Sequence, residues 1–185
     1  MSDLRVEAAE PTASSRIWFV RAGSRGSEIR SFLADGFVGI AWGETGALTG
    51  LVDLRAFEER LIAVYPTRSR RTLTAWAAML RAITATMARG DDIMTIEPDA
   101  RRYWLGKISS DYQWEQGAQL AHRRGVRWSG SLDRAHLSEP TLHCLGAIST
   151  VFRLSADATQ EVLTTFRTLG APSVPGRCTQ RTSNG

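Results

Sequence analysis

Six tryptophans are the side chains of this 185-residue sequence that stand out for their chemistry. Trp18 lies in a short apolar run and Trp76 on an apolar helical stripe, so both are expected in the core. Trp42, Trp114 and Trp128 lie among polar residues instead. Aromatic rings at strand ends can stack on an extruded base while polar neighbours read its edge. The alternative is that these three rings only plug the open ends of a small barrel.

Arginines flank the same regions. The chain has a net charge of +4, and Lys107 is the only lysine among its 23 basic residues. Arginine suits bidentate phosphate contacts and stacking on bases, which favours a polyanionic partner. A GC-rich genome would give the same bias, and any one cluster could be a solvated face. The clusters are Arg21 with Arg25, Arg68 with Arg70 and Arg71, and Arg123 with Arg124 and Arg127.

The usual catalytic signatures are missing from the sequence. There is no G-x-x-x-x-G-K-[ST] phosphate loop and no G-x-S-x-G nucleophile turn. His122, His136 and His143 lie in three different local contexts without paired cysteines, so a zinc site is not expected. A two-metal nuclease needs several acids converging near a lysine, and the acids before Lys107 lie in a turn. We therefore expect a binding module with no catalytic residues, no metal and no cofactor.

The elements that must position these residues follow from periodicity and turn chemistry. Short apolar runs indicate strands at 17–21, 37–41, 93–96, 103–108, about 126–128 and 150–154. Helical spacing and caps predict helices at about 27–34, 53–64, 69–89 and 155–168, the third with Gly90 as its C-cap. The order β-α-β-α-α-β-β-β-β-α indicates an α+β fold with a curled sheet.

Three segments are expected along the chain: a disordered leader (1–15), a folded domain (16–169) and a flexible tail (170–185). No apolar run is long enough to span a membrane, and residues 1–15 lack the apolar stretch of a secretory signal. Cys144 and Cys178 are far apart, which argues against a disulfide framework and favours a cytoplasmic location.

Several short motifs occur in an order that resembles a known family. They are residues 17–23 (IWFVRAG), 38–44 (VGIAWGE), 90–93 (GDDI), 103–108 (YWLGKI) with Tyr112, and 122–128 (HRRGVRW). This series, over about residues 16–155, resembles the EVE and YTH-like branch of the PUA superfamily. Such domains accompany Mrr-like or HNH nucleases and McrB-type proteins in modification-dependent restriction systems.

The resemblance implies a PUA-like twisted β-barrel with flanking helices and an aromatic cage for a methylated base. The cage would consist of Trp42, Tyr112, Trp114 and Trp128, with Asp111 reading the edge of the base. It implies a partner, double-stranded DNA with a methylated base, and favours 5-methylcytosine over N6-methyladenine. Family members often carry a nuclease or NTPase domain, and these residues contain none, so the chain is either an excised domain or a stand-alone reader, and such activity would belong to another domain or to a partner protein. An RNA reader of modified bases and a metal-dependent nuclease remain as alternatives.

Overall fold

Six strands form one mixed sheet between residues 16 and 169, the part of the chain that a computed structural model describes. The expected leader (1–15) and tail (170–185) lie outside these described residues. The strands are β1 Ile17–Val20, β2 Phe37–Ile40, β3 Asp92–Glu97, β4 Arg102–Trp114, β5 His122–Asp133 and β6 Val151–Arg153. Every expected strand is present, and β4 and β5 extend well beyond their predicted limits.

The sheet has the order β2-β5-β4-β3-β1-β6. β1 and β3 run parallel, and the other neighbouring pairs are antiparallel. Within residues 16–169, β2 and β6 are the two edges and do not pair with each other, so the sheet is open. The α+β class is confirmed, and because the described sheet is not closed, these strands do not show the twisted β-barrel that was expected.

Five helices cover both faces of this sheet. They are α1 Ile29–Asp35, α2 Leu54–Val64, α3 Arg70–Arg81, α4 Glu139–Leu145 and α5 Ala156–Leu169. One core lies between the sheet and α1–α3, and a second lies between the sheet and α4 and α5. Along β1, Trp18 and Val20 face the first core while Ile17 and Phe19 face the second. Burial on both faces explains why this strand is an unbroken apolar run.

The longest predicted helix ends earlier than its apolar spacing suggests. α3 gives way at Ala82 to a π-helical turn, Ala82–Thr86, that leads into an extended Met87. Leu73 and Leu80 are buried as expected. Gly90 is not the helix cap but a turn residue, with φ 91° and its amide donating to the Ile108 carbonyl.

One helix was not predicted. α4 follows β5 and has Ser138 as its N-cap and Pro140 in its first turn, a start signal that the sequence carries. Two other helix ends carry local caps: the Asp53 carboxylate accepts from the Arg55 amide, and Gly36 closes α1 with φ 67°. No helix within residues 16–169 has both the length and the apolar character that crossing a bilayer requires.

Candidate functional site

The turn after β2 holds a tryptophan in a backbone conformation that tryptophan rarely adopts. Trp42 has φ 67° and ψ 34°, in the left-handed region, which costs a residue with a side chain roughly 1–2 kcal/mol. The turn closes where the Thr45 amide donates to the Trp42 carbonyl at 3.0 Å. Strained residues of this kind persist only where the surroundings hold them, and they concentrate at functional sites.

A buried histidine holds this turn. His122 Nε2 lies 3.1 Å from the Trp42 carbonyl oxygen and 3.1 Å from Thr45 Oγ1. Because a carbonyl oxygen only accepts, we assign the ring proton to Nε2, which leaves Nδ1 as the acceptor. The Tyr112 hydroxyl, 2.8 Å from Nδ1, then donates to it, and its own oxygen accepts the Leu48 amide at 3.3 Å. The turn is thus tied to β4 and β5 through one neutral imidazole.

Burial favours this neutral form of the histidine. The side chain of His122 has no exposed surface, and burial lowers its pKa against smaller opposing effects of the Trp42 carbonyl and the Glu44 charge. Sequence reasoning considered His122 only as a metal ligand. The signal that could have found it is the alternation of side chains along a strand. His122 is four positions from the inward-facing Val126 on β5 and therefore points to the same side of the sheet.

Three half-buried aromatic rings lie together beside this turn; we call Trp42, Tyr65 and Trp76 the aromatic cluster. The ring centroids of Trp42 and Trp76 are 5.2 Å apart with planes tilted by 39°. Tyr65 meets Trp76 edge-on at 5.5 Å. Trp76, expected in the core, packs against the first core but is only partly buried, while Ala77, one position along, is fully buried. Partly exposed indole and phenol rings are the groups on which bases stack.

An ionised carboxylate lies at the edge of the aromatic cluster. The Tyr65 hydroxyl donates to Glu44 Oε2 at 2.6 Å, and this bond is the main cause of the lowered pKa of Glu44. Burial, with the same carboxylate, raises the pKa of Tyr65 to about 12. Near neutral pH, therefore, the phenol stays protonated and the carboxylate stays charged.

Arginines adjoin the cluster where α3 begins. The Arg68 guanidinium lies 5.8 Å from the centre of the Trp76 ring, within cation–π range. Arg70 and Arg71 are exposed in the first turn of α3, which Ser69 caps. Arg68 of the predicted cluster thus adjoins the aromatic cluster through Trp76, and Arg70 and Arg71 follow it in the first turn of α3.

Three of the other predicted phosphate contacts are occupied within the protein itself. Arg21 donates to the backbone carbonyls of residues 145, 147 and 149. Arg124 is buried and donates to the carbonyls of Ile83 and Thr84, which the π-helical turn leaves free. Arg123 binds the Glu115 carboxylate and the Leu120 carbonyl. These guanidiniums stabilise the fold, while Arg25 and Arg127 are exposed.

The predicted base cage is only partly assembled. Trp42 and Tyr112 meet through His122, but Trp128 is 8% exposed, and its Nε1 donates to the Phe32 carbonyl at 2.7 Å. Trp128 lies six residues beyond His122 on β5, roughly 20 Å along an extended strand. Its ring is therefore a core side chain in this conformation and does not share a rim with Trp42.

The two remaining cage candidates lie in β4. Trp114 pairs with His122 across the β4–β5 ladder, and its Nε1 is buried without a hydrogen-bond partner among the described residues. Asp111 is exposed, with a carboxylate oxygen 3.9 Å from a guanidinium nitrogen of Arg89. Neither side chain makes a recorded contact with the aromatic cluster. Among residues 16–169, no three His, Cys, Asp or Glu side chains are placed to hold a metal ion.

A protein-family model described as "Domain of unknown function (DUF8426)" matches residues 18–155. The matched range contains β2 through β6 and all of β1 except Ile17. It also contains every residue of the Trp42 turn, the His122 network and the aromatic cluster. No curated protein matches the chain, and no solved structure matches it. Since the match extends over well more than half of the sequence, the chain belongs to the DUF8426 family.

Proposed function

We propose that this protein is a non-catalytic binding module that takes a nucleic-acid base onto the aromatic cluster. Its favoured ligand is double-stranded DNA carrying a methylated base, extruded from the helix, with 5-methylcytosine ahead of N6-methyladenine. The observation that carries the proposal is Trp42, whose strained turn is held by buried hydrogen bonds while its ring remains partly exposed beside Trp76.

The energetics divide between the base and the phosphates. Stacking on an aromatic side chain contributes about 1–3 kcal/mol per base. One added methyl group in an apolar contact contributes about 1–3 kcal/mol of discrimination. Arg68, Arg70 and Arg71 would add phosphate contacts, whose strength falls steeply as salt rises. The aromatic cluster supplies the selectivity in this account, and the α3 arginines supply most of the affinity.

Kinship with the PUA superfamily is part of the same proposal. Its support is the ordered series of motifs, which includes Trp42 itself and the β5 segment that contributes His122. The proposal extends to a cytoplasmic role in modification-dependent restriction, with nuclease or NTPase activity supplied by another domain or by a partner. The described sheet is open, so any closure into a PUA-like barrel would need strand pairing beyond that seen among residues 16–169.

A gel-shift series with matched probes tests the proposal. The probes are DNA duplexes and RNA strands of one sequence, each unmodified, with 5-methylcytosine or with N6-methyladenine. We expect the methylated DNA duplex to bind most tightly, in the presence of a chelator. Equal affinity for all probes would contradict the reader function. A preference for modified RNA would favour the RNA-reader alternative. Loss of the probe when Mg²⁺ replaces the chelator would favour the nuclease.

A further inference from the structure

We infer that Glu44 reads the hydrogen-bonding edge of the base that stacks on the aromatic cluster, and that this base carries an exocyclic amino group. The inference rests on the proposed function. Both candidate bases of that function, cytosine and adenine, carry an exocyclic amino group, as guanine does, and thymine carries none. Two positions separate Glu44 from Trp42 in the same short turn, so a base lying on the Trp42 ring would have a carboxylate beside its edge.

The turn fixes the position of this carboxylate relative to the ring. Thr45 donates to the Trp42 carbonyl through its amide at 3.0 Å and its hydroxyl at 2.8 Å. Gly46 closes the same turn by donating to the Gly43 carbonyl at 3.0 Å. Tyr65 then fixes the side chain of Glu44, because its hydroxyl takes Oε2 while its ring packs on Trp76. Ring and carboxylate are therefore presented as one preorganised unit.

The chemistry of a carboxylate decides which bases it accepts. An ionised carboxylate only accepts hydrogen bonds and has about four lone-pair positions, so the Tyr65 bond leaves capacity for a ligand. Cytosine presents the N4 amino group as a donor and adenine presents N6, whereas thymine presents the O4 acceptor there. A methyl group at C5 of cytosine leaves the N4 donors in place, and N6-methyladenine keeps one N–H. Both modified bases of the proposal therefore offer Glu44 an amino donor, whereas thymine offers the O4 acceptor at the same position.

Quenching of tryptophan fluorescence by short single-stranded oligonucleotides tests this selectivity. The probes are five-nucleotide DNA strands of cytosine, 5-methylcytosine, adenine or thymine, titrated at one salt concentration. We expect the thymine strand to bind about tenfold more weakly than the cytosine strand, the size of one good base-edge contact. In Glu44→Gln the ratio of the cytosine-strand affinity to the thymine-strand affinity should approach one. In Tyr65→Phe the same ratio should fall to a value between one and that of the wild type, because the Glu44 carboxylate loses the hydrogen bond that positions it.

The matched control is Glu59→Gln, which removes the same charge from an exposed position on α2 and should keep the full ratio. Thermal melting of each variant checks that it is folded, as expected for the exposed Glu44 side chain. A wild-type protein that binds all four strands equally, or a Glu44→Gln variant that keeps the ratio, would overturn the role of Glu44 while leaving base stacking in place. No binding of any strand would overturn the proposed function and this inference together.

Discussion

Acidification from pH 7 to pH 5 should destabilise this protein through His122. Burial lowers the pKa of the folded-state imidazole below its usual value, which is about 6.5 in an unfolded chain. Below pH 6.5 the unfolded chain takes up a proton that the folded protein does not, so the free energy of unfolding falls. Stability is therefore complete above the unfolded pKa, and it is lost as the pH falls from that value towards the folded pKa.

The magnitude follows from linkage. One group changes the free energy of unfolding by at most about 1.4 kcal/mol per pH unit, which gives a loss of up to about 2 kcal/mol between pH 7 and pH 5. Replacing His122 by Gln should cost about 1–3 kcal/mol at pH 7, because the half-buried Tyr112 hydroxyl loses its acceptor. The same variant should lose the histidine contribution to the pH dependence.

Urea denaturation at pH 7, 6 and 5, followed by circular dichroism, measures both effects. The control is His143→Gln, which replaces an exposed imidazole on α4 and should leave the pH dependence as in the wild type. The reasoning fails if wild-type stability is flat over this range, or if His122→Gln retains the wild-type slope.

Three further outcomes follow from the placement of the other predicted site residues. Arg124→Met should lower the free energy of unfolding by about 2–4 kcal/mol, because the buried carbonyls of Ile83 and Thr84 lose a charged donor; urea denaturation measures this, and a loss under 0.5 kcal/mol would contradict it. Trp128→Ala should lower the free energy of unfolding by about 3–5 kcal/mol, because it removes a core side chain. The folded fraction of this variant should bind DNA as the wild type does in a gel shift, because the base does not contact Trp128. Arg68→Gln should reduce the slope of log affinity against log salt by about one unit, whereas Arg153→Gln, on the opposite sheet edge, should leave the slope unchanged.

The local elements could be predicted because local signals encode them. The Asp53 cap, the left-handed Gly36 and the Pro98 turn of the β3–β4 hairpin each act within a few residues. The limits of α3 could not be predicted this way. Its apolar spacing continues to Met87, but the helix changes at Ala82 because Arg124, some forty residues later, provides donors for the freed carbonyls.

The candidate site was predicted only in part for the same reason. Trp42 stood out through its glycine-flanked turn, and Arg68–Arg71 through their charge. Trp76 matches a core stripe in spacing, and only the approach of Trp42 from β2 makes it part of the aromatic cluster. The reverse holds for Trp128. Its arginine-rich neighbours suggested that the ring is exposed, but Trp128 lies on the inward-facing side of β5, and its ring is in the core. An arginine can contact phosphate only if its guanidinium is not already bound to backbone carbonyls, and those carbonyls come from residues distant in the sequence.

The central claim is that a base stacks on Trp42, and a single binding comparison tests it most directly. Trp42→Leu keeps an apolar side chain without β-branching in the left-handed turn but removes the ring. At fixed salt we expect this variant to bind a DNA duplex containing 5-methylcytosine about 5- to 150-fold more weakly than the wild type, the equivalent of about 1–3 kcal/mol of lost stacking. It should lose its preference over the unmodified duplex and unfold at nearly the wild-type temperature. A folded Trp42→Leu variant with the wild-type affinity and the wild-type methyl preference would contradict the claim.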